Sequence, residues 1–282
     1  MITCNLMGGL GNQLFQIFTT ISYGIKSRNP FKFLNVETLG GGSTTIRYTF
    51  WNSFLRKLKL FLIDSIPQSV NVIREKDFTF NELPIYQMLG KDVLIYGYFQ
   101  SYKYFNDNYS MIYKLLGIND MKTMLLSKMN YDNEFLKNVI SVHFRIGDYK
   151  KIQNYHPIMT NDYYFRCLNF FNNKYKDIRF IIMYFCEDQD FEDVIITIKN
   201  LEQQFPNYTF IRGDNKLEDW EQMLLMSCCH HNIIANSSFS WWSAYFNSWH
   251  DKSVCYPSIW FGTSTTHNTK DLCPPEWNKI PA

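Results

Sequence analysis

One short stretch of the chain combines a guanidinium, an imidazole and a carboxylate. The apolar run 139–144 is typical of a buried strand, and R-I-G-D-Y follows it. Because strand side chains alternate between faces, His143 and Arg145 are predicted to share one face. A guanidinium there can bind a pyrophosphate through two parallel hydrogen bonds and neutralise a leaving nucleoside diphosphate. An ion pair between Arg145 and Asp148 that caps the strand is an equally open interpretation.

Hydroxyl groups are concentrated after a second apolar run, 232–235. The residues that follow include Asn236, Ser237, Ser238 and Ser240, and they are predicted to open a helix. Hydroxyls and unpaired backbone N–H groups at a helix N-terminus can cradle an anion. Because capping a helix needs one serine, this set indicates anion binding beyond capping.

A glycine turn, G-G-L-G-N-Q, follows the first apolar run of the chain. Gly9 and Gly11 allow close approach of the backbone, and the next helix would offer N–H groups to an anion. The amides of Asn12 and Gln13 can orient hydroxyls or phosphate oxygens at the mouth of this turn. A dinucleotide fingerprint needs a third glycine where Leu14 stands, and a purely structural turn remains an open interpretation.

Two carboxylates, Glu187 and Asp188, follow the strand predicted at 178–185. They suit a ribose or the edge of a guanine base, but acidic residues also favour the first turn of a helix, which is the stronger interpretation. C-C-H-H at 228–231 does not predict a zinc site, because consecutive side chains point in different directions. We interpret no aspartate pair as a divalent-cation site, so the sequence predicts neither a metal nor a cofactor.

The overall charge excludes one class of partner. The 282 residues carry 28 Lys and Arg against 26 Asp and Glu, and a formal net charge of +2 gives no field that would attract nucleic acid. The sequence shows no basic segment before an apolar run at its start, and no run reaches the roughly 18 apolar residues that span a bilayer. We therefore expect a cytoplasmic protein, with membrane association that is at most peripheral.

The elements that must position these groups are clearer in the second half of the chain. The first half opens with a strand, the glycine turn and a helix, and a polar loop at 40–42 and a surface helix at 54–63 are expected beyond them. Further on, a strand at 93–99 precedes a helix at 102–116. The second half alternates strands predicted at 139–144, 178–185, 208–211 and 232–235 with helices at 162–174, 190–204 and 218–229.

Alternation of strands and helices predicts an α/β fold with mostly parallel sheets. Ligands of such sheets bind beyond the carboxyl ends of the strands, which is where the polar groups above fall. The polar segment 130–138 is predicted to connect two domains, an N-terminal one at 1–135 and a C-terminal one at 136–282.

Six motifs in a fixed order resemble the inverting α-1,2-fucosyltransferases of glycosyltransferase family 11, which transfer L-fucose from GDP-L-fucose to galactosides. The motifs are G-G-L-G-N-Q at 8–13, G-Y-F-Q at 97–100, H-F-R-I-G-D-Y at 143–149, F-C-E-D at 185–188, D-W-x-x-M-L-L-M at 219–226 and I-I-A-N-S-S-F-S-W-W-x-A-Y at 233–245. One position departs from the pattern, because Ile146 stands where the family usually has a second arginine.

The resemblance implies a GT-B-like architecture, in which two Rossmann-like domains face each other and the C-terminal one binds the nucleotide sugar. It implies that Arg145 binds the β-phosphate and that His143 lies against the nucleotide. Ser237, Ser238 and Ser240 would hold the pyrophosphate, and Asn236 beside them would belong to the donor-binding residues.

The resemblance also implies roles at the other predicted strand ends. Asn12 would approach the transferred fucose, and Gly9, Gly11 and Gln13 of the same turn would belong to the donor-binding residues. Asp219 and the Glu187–Asp188 pair are candidates for contacts to the guanine or ribose. For the general base we choose Asp148, because it lies in the same loop as Arg145.

The sequence thus predicts a metal-independent galactoside 2-α-L-fucosyltransferase, with GDP-L-fucose as donor and a galactose-containing glycan as acceptor. A non-catalytic sugar-binding module and a transferase for another nucleotide sugar are the alternatives. An NAD-dependent oxidoreductase fits less well, because the third glycine of its fingerprint is missing.

Overall fold

The chain forms two compact units in this computed structural model, which describes residues 1–40, 45–85 and 88–282. Unit 1 comprises Met1–Asp120 and His267–Pro274, and unit 2 comprises Met121–Thr266 and Pro275–Ala282. Each unit is an α/β unit with mostly parallel strands, which confirms the predicted fold class.

The two units divide between Asp120 and Met121, whereas the sequence analysis placed a boundary at 135/136. The division falls within a helix, because Lys122 of that helix is buried and donates a hydrogen bond to the carbonyl of Phe246 in unit 2 (2.5 Å). The segment expected to be a connector contains a short helix, whose N-terminus Asp132 caps by accepting from a backbone N–H.

Unit 1 is built on short parallel strands. Its strands are β1 (Ile2–Cys4), β2 (Phe33–Leu34), β3 (Thr38–Leu39), β4 (Arg47–Tyr48), β5 (Leu62–Ile63), β6 (Asn71–Arg74) and β7 (Val93–Tyr96). Its helices are α1 (Leu10–Lys26) and α2 (Tyr109–Leu116), with 3-10 helices at Arg56–Phe61, Tyr102–Tyr104 and Asn106–Asn108; α3 (Ile118–Met129) contains the division point.

One parallel sheet of unit 1 has the strand order β1-β7-β6, and β2 pairs with β5, also in parallel. A parallel bridge between Ile2 and Phe31 places the chain leading into β2 beside β1. Leu14, Phe18 and Ile21 of α1 recur at helical spacing and are fully buried, which packs α1 against the core.

The segment predicted as a surface helix at 54–63 is different in the structure. Only Arg56–Phe61 is helical, in the 3-10 form, and β5 follows it directly. Phe54 and Leu58 are fully buried, so this segment contributes to the core of unit 1. Gly41 and Gly42 of the expected polar loop lie outside the described residues.

Unit 2 contains one larger sheet. Its strands are β8 (Val139–His143), β9 (Ile181–Phe185), β10 (Thr209–Arg212), β11 (His231–Ile233), β12 (Val254–Pro257) and β13 (Asn278–Ile280). Its further helices are α4 (Asn133–Leu136), α5 (Asn161–Lys174), α6 (Phe191–Gln204), α7 (Asp219–Cys228) and α8 (Ser238–Phe246), with 3-10 helices at Gly147–Lys151 and Asp188–Asp190. The predicted alternation of the second half is confirmed, with shifts of a few residues at the ends.

The sheet of unit 2 has the order β10-β9-β8-β11-β12-β13, with all pairs parallel. Counted within the unit this is the order 3-2-1-4-5-6, which is that of the dinucleotide-binding α/β fold. The chain first adds β9 and β10 on one side of β8, and it then returns to add β11, β12 and β13 on the other side. The crevice at the carboxyl ends of β8 and β11 is therefore the expected ligand site.

A buried polar network holds these two central strands in register. Asn232 of β11 is fully buried and donates to the Ser141 hydroxyl of β8 (2.7 Å) and to the Met226 carbonyl (2.9 Å). Its carbonyl oxygen accepts from the Asn247 amide (2.7 Å). Because each group has a partner, the network adds specificity to the β8–β11 pairing at the base of the crevice.

Candidate active site

His143 is the last residue of β8 and lies at the floor of the crevice in unit 2. The side chain is buried, its ring centroid lies 5.5 Å from that of Phe239, and its Nδ1 has no hydrogen-bond partner among the described residues. Burial, with a smaller effect from the charge of Arg145, lowers the pKa of His143 to about 3. The imidazole is therefore neutral at physiological pH.

Arg145 follows β8 directly, and its guanidinium forms ion pairs with both Asp148 and Glu187. The Arg145–Asp148 pair is one of the two interpretations that the sequence left open, and the structure contains it. Burial lowers the pKa of Arg145, but the two carboxylates outweigh burial and raise it above its usual value. A bound pyrophosphate would compete with these carboxylates for the same N–H groups.

Tyr149 connects the two sides of the crevice. Its ring lies under the Arg145 guanidinium, 5.0 Å from Cζ to the ring centroid, and its hydroxyl donates to the carbonyl of Asn236 (3.1 Å). The sequence analysis quoted Tyr149 as part of a motif but assigned it no role. The structure shows that it links the loop after β8 to the loop after β11.

Asp190, also missed in the sequence analysis, fixes the loop that carries Arg145. Its carboxylate is buried, accepts from the backbone N–H of Gly147 (2.6 Å) and pairs with Lys150 (3.0 Å). Gly147 has φ +33°, and a Cβ at this position would lie 3.1 Å from a carboxylate oxygen of Glu187. A larger residue at position 147 would therefore have to displace the Glu187 carboxylate slightly and adopt a left-handed backbone conformation that favours glycine.

Asp188 and Asp190 have the aspartate-x-aspartate spacing that the sequence analysis did not identify. Their carboxylates have separate partners, since Asp188 binds Arg212 and accepts from Asn215 (3.0 Å), whereas Asp190 binds the loop after β8. The hydrogen bonds from Asn215 and Arg212 lower the pKa of Asp188. Within the described ranges, no group of three or more His, Cys, Asp or Glu side chains is arranged to hold a metal ion.

The hydroxyl-rich turn after β11 divides into buried and accessible groups. Asn236 is buried and donates to the carbonyls of Pro157 (2.9 Å) and Trp260 (3.1 Å). Ser240 is fully buried, and its hydroxyl lies 3.5 Å from the carbonyl of Ala235. These two side chains hold the turn in place and do not reach an anion at the surface in this structure.

The accessible part of this turn is the N-terminus of α8. Ser237 is the N-cap and its hydroxyl accepts from the N–H of Phe239 (3.3 Å), while Ser238 begins the helix and is partly exposed. The accessible part of the predicted anion cradle therefore consists of Ser238 and the first N–H groups of α8, and Ser237 is buried beneath them.

Asp219 begins α7, beyond β10. The preceding Glu218 caps this helix in a reciprocal capping box with Glu221, and Trp220 donates to Glu218 (2.7 Å). A carboxylate in the first turn also favours the positive end of the helix dipole. The structure places Asp219 on an exposed helix start, and its contact to guanine or ribose stays a prediction.

In unit 1, side-chain amides stabilise the glycine turn between β1 and α1. Gln13 is fully buried and donates to the carbonyls of Gly8 (3.0 Å) and Tyr48 (2.9 Å), so it supports the turn from inside. Gly9 is the N-cap of α1, and the buried Gly11 lies in its first turn. A Cβ at Gly8 would lie 2.5 Å from the amide of Asn12, and its φ of +75° also requires glycine.

The turn is joined to the G-Y-F-Q segment after β7. Gln100 donates to the side-chain carbonyl of Asn12 (2.9 Å), and Gln16 donates to the carbonyl of Gly97 (3.1 Å). Glu75 accepts from the backbone N–H groups of Tyr98 and Phe99. The sequence analysis missed Gln16, Gln100 and Glu75, because only the parallel pairing of β1, β7 and β6 brings them together.

The helices of the described chain include none that is both long and apolar enough to cross a bilayer.

Unit 2 thus defines a Rossmann-like α/β protein with an arginine and a helix N-terminus at its ligand crevice. The family model of glycosyl transferase family 11 matches residues 1–281, so the chain belongs to this family and is a glycosyltransferase. This confirms the membership that the six motifs predicted.

Two curated relatives cover nearly the whole chain. It is 29% identical to the O-antigen biosynthesis glycosyltransferase WbnK of Escherichia coli, over 96% of this chain and 98% of that protein. It is 25% identical to an alpha-1,2-colitosyltransferase of Escherichia coli, over 99% of both.

Similarity to solved structures is more distant. The ADP-heptose heptosyltransferase II of E. coli has a TM-score of 0.37 at 10% identity, over 57% of this chain and 43% of that one. A glycosyl transferase of family 9 from Veillonella parvula has a TM-score of 0.36 at 11% identity, over 58% and 40%.

Proposed function

We propose that this protein transfers L-fucose from GDP-L-fucose to the O2 hydroxyl of a galactoside, with inversion at the anomeric carbon and without a metal ion. The observation that carries the proposal is the position of Arg145 beside the switch point of a six-stranded Rossmann-like sheet. Membership of glycosyl transferase family 11 supports a sugar nucleotide as the ligand of that crevice.

The leaving group is stabilised by fixed positive groups in unit 2. As the bond between the sugar and GDP breaks, negative charge grows on the β-phosphate. The Arg145 guanidinium and the N–H groups at the start of α8 bind this charge. The Tyr149 ring positions the guanidinium through a cation–π contact. Pre-positioned donors of this kind act without reorganising during the reaction.

Donor binding also changes the state of Asp148. Phosphate oxygens that take over the guanidinium N–H groups release Asp148 and Glu187 from Arg145. The acceptor hydroxyl oxygen then forms a bond to the anomeric carbon from the side opposite GDP, the bond to the phosphate oxygen breaks, and the hydroxyl proton passes to Asp148. Asp148 thus becomes a general base only when the donor is bound.

His143 acts as a neutral group at the floor of the crevice. Its low pKa means that it adds no positive charge beside Arg145, and its buried Nδ1, which has no partner among the described residues, is assigned a hydrogen bond to the nucleotide. A neutral imidazole can donate from one ring nitrogen and accept at the other.

The test combines donor binding with product analysis. Calorimetry with GDP, followed by incubation with GDP-L-fucose and a panel of galactose-ended and N-acetylglucosamine-ended acceptors, should show GDP binding and a fucosylated galactoside with an α-1,2 linkage by NMR. Sugar binding without GDP binding would instead indicate the non-catalytic module.

A second candidate is transfer of colitose by the same chemistry. One relative, which matches 99% of this chain, is an alpha-1,2-colitosyltransferase. The two candidates differ only in the donor, so the ratio of kcat/KM for GDP-colitose and GDP-L-fucose decides between them.

A further inference from the structure

Unit 1 contains a cavity of about 740 Å³ that none of the roles above uses. Six of its lining residues carry the argument: Asn35, Glu37, Tyr48, Trp51, Lys59 and Asp64. Asn35 and Glu37 follow β2, and Asp64 follows β5, so the cavity lies at the carboxyl ends of this parallel pair.

The cavity adjoins the glycine turn. The parallel bridge between Ile2 and Phe31 places β2 next to β1, so the loops after β1 and β2 leave the same edge of the unit 1 sheets. The Gln13 amide joins the two places directly, since it donates both to the Gly8 carbonyl of the turn and to the Tyr48 carbonyl of the cavity wall. A ligand in the cavity would therefore lie beside the turn that carries Asn12.

The lining combines an aromatic wall with hydrogen-bonding groups. Trp51 is 4% exposed and packs on Phe33 at 5.7 Å between ring centroids. Its indole Nε1–H is buried without a hydrogen-bond partner in the part of the chain that the structure describes. Buried indole N–H groups normally have a partner, so a ligand that offers an oxygen to Trp51 satisfies this group.

The charged groups of the cavity select among ligands. The lining includes two carboxylates, Glu37 and Asp64, and the ammonium group of Lys59, and the amide of Asn35 lies 3.4 Å from Asp64. Ionised carboxylates accept hydrogen bonds from hydroxyl groups and repel phosphates and acidic sugars. The volume lies in the range of small-molecule sites.

We propose that this cavity binds a neutral saccharide, the acceptor end of the glycan. Glu37 and Asp64 accept hydrogen bonds from its hydroxyls, and the Trp51 indole donates to one of its oxygens. Tyr48, whose side chain is 69% exposed at the rim, covers an apolar sugar face. This inference rests on the proposed function, because the saccharide is the acceptor only if the protein transfers a sugar.

The experiment measures donor and acceptor binding separately in the full chain. The variants are Glu37→Gln, Asp64→Asn and Trp51→Phe, and Glu82→Gln is the matched control, an exposed carboxylate of unit 1 that does not line the cavity. The probes are lactose and N,N′-diacetylchitobiose as neutral disaccharides and sialyllactose as an acidic one, observed by saturation-transfer NMR with GDP present.

Each cavity variant should raise the acceptor KM, or weaken binding of the neutral probe, about tenfold, because Glu37→Gln and Asp64→Asn each weaken a hydrogen bond to a charged acceptor and Trp51→Phe removes an indole donor. The dissociation constant for GDP should change less than about twofold, and the Glu82→Gln protein should behave as the wild type. Sialyllactose should bind at least about tenfold more weakly than lactose.

The outcomes separate the cavity from the proposed function. A wild type that transfers sugar, together with cavity variants of unchanged acceptor KM, would overturn the cavity assignment alone, as would equal binding of sialyllactose. A wild type that binds lactose through the cavity but neither binds GDP nor transfers a sugar would overturn the proposed function and leave a saccharide-binding cavity.

Discussion

The carboxylate of Asp190 accepts a hydrogen bond from the backbone N–H of Gly147 at 2.6 Å, which ties the loop after β9 to the loop after β8. Asp190 is buried at the start of α6, and Lys150 adds an ion pair at 3.0 Å. Arg145 stands two residues before Gly147. The position of the guanidinium thus depends on a buried carboxylate to which the proposed mechanism assigns no contact with the donor.

Replacing Asp190 should loosen that loop. Asp190→Asn is expected to lower the free energy of unfolding by about 1–3 kcal/mol and to raise the KM for the donor, because one of the two buried acceptor oxygens becomes an NH2 group and the charge that pairs with Lys150 is lost. Asp193→Asn is the matched control, since Asp193 binds the same Lys150 at 2.7 Å but is exposed. Urea unfolding and donor kinetics check both variants; equal effects would contradict the role of Asp190.

Removing the guanidinium should abolish most transfer. Arg145→Ala is expected to lower kcat/KM. The activation free energy derived from kcat/KM should rise by about 2–5 kcal/mol, which is the cost of truncating one partner of a charged contact. Arg145→Lys should also be impaired, because an ammonium cannot replace the planar fork. Arg179, an exposed residue just before β9 and hence at the opposite edge of the sheet, provides the control as Arg179→Ala. Near-normal turnover of Arg145→Ala would exclude the phosphate role.

Breaking the buried network between β8 and β11 should destabilise unit 2. Asn232→Ala removes hydrogen bonds to Ser141, Met226 and Asn247, and is expected to cost about 1–3 kcal/mol for each polar group left without a partner. A double-mutant cycle with Ser141→Ala measures the coupling. Strictly additive effects in thermal or urea unfolding would show that the Asn232–Ser141 bond is not coupled.

Stability should fall as the pH is lowered below about 6.5. Burial lowers the pKa of both His143 and His231 to about 3, so between that value and 6.5 the unfolded chain binds protons that the folded chain does not. Each histidine therefore removes about 1.4 kcal/mol of stability between pH 7.5 and 5.5.

Urea unfolding at the two pH values measures this loss. His231→Asn keeps an acceptor near the Ser253 N–H, which lies 3.0 Å from His231 Nδ1, and it should remove one of the two contributions. A pH dependence that is unchanged in this variant would show that His231 is not buried in its neutral form.

Transfer should continue undiminished in excess EDTA. The proposed crevice neutralises the leaving group through Arg145 and the start of α8, and the carboxylates of Asp188 and Asp190 bind different partners. Initial rates with chelator and with added Mn²⁺ provide the measurement. Loss of activity in EDTA with recovery on adding metal would overturn this mechanism and direct attention to Asp188 and Asp190.

The elements were largely predictable from the sequence, because burial of one face leaves a period in the chain. The apolar run 139–144 became β8, and the predicted helix 162–174 became α5. The position of Arg145 after β8 also followed from the sequence, since strand ends carry ligand-binding residues in parallel sheets. The surface helix predicted at 54–63 was wrong. Several apolar residues of this segment are buried, and its helical part is a 3-10 helix, whose period differs from that of an α-helix.

The partners of the site residues were decided by the tertiary structure. Gln13, expected at the mouth of the turn, is buried beneath it, and Ser240, expected on a pyrophosphate, lies against backbone carbonyls. Glu187 binds Arg145 and Asp190 binds Gly147, although each pair is more than forty residues apart in the chain. The sequence alone determined which groups follow which strand, since that depends on local periodicity. Which strands lie side by side depends on contacts between distant segments, and the order β9-β8-β11 therefore decided which of these groups meet.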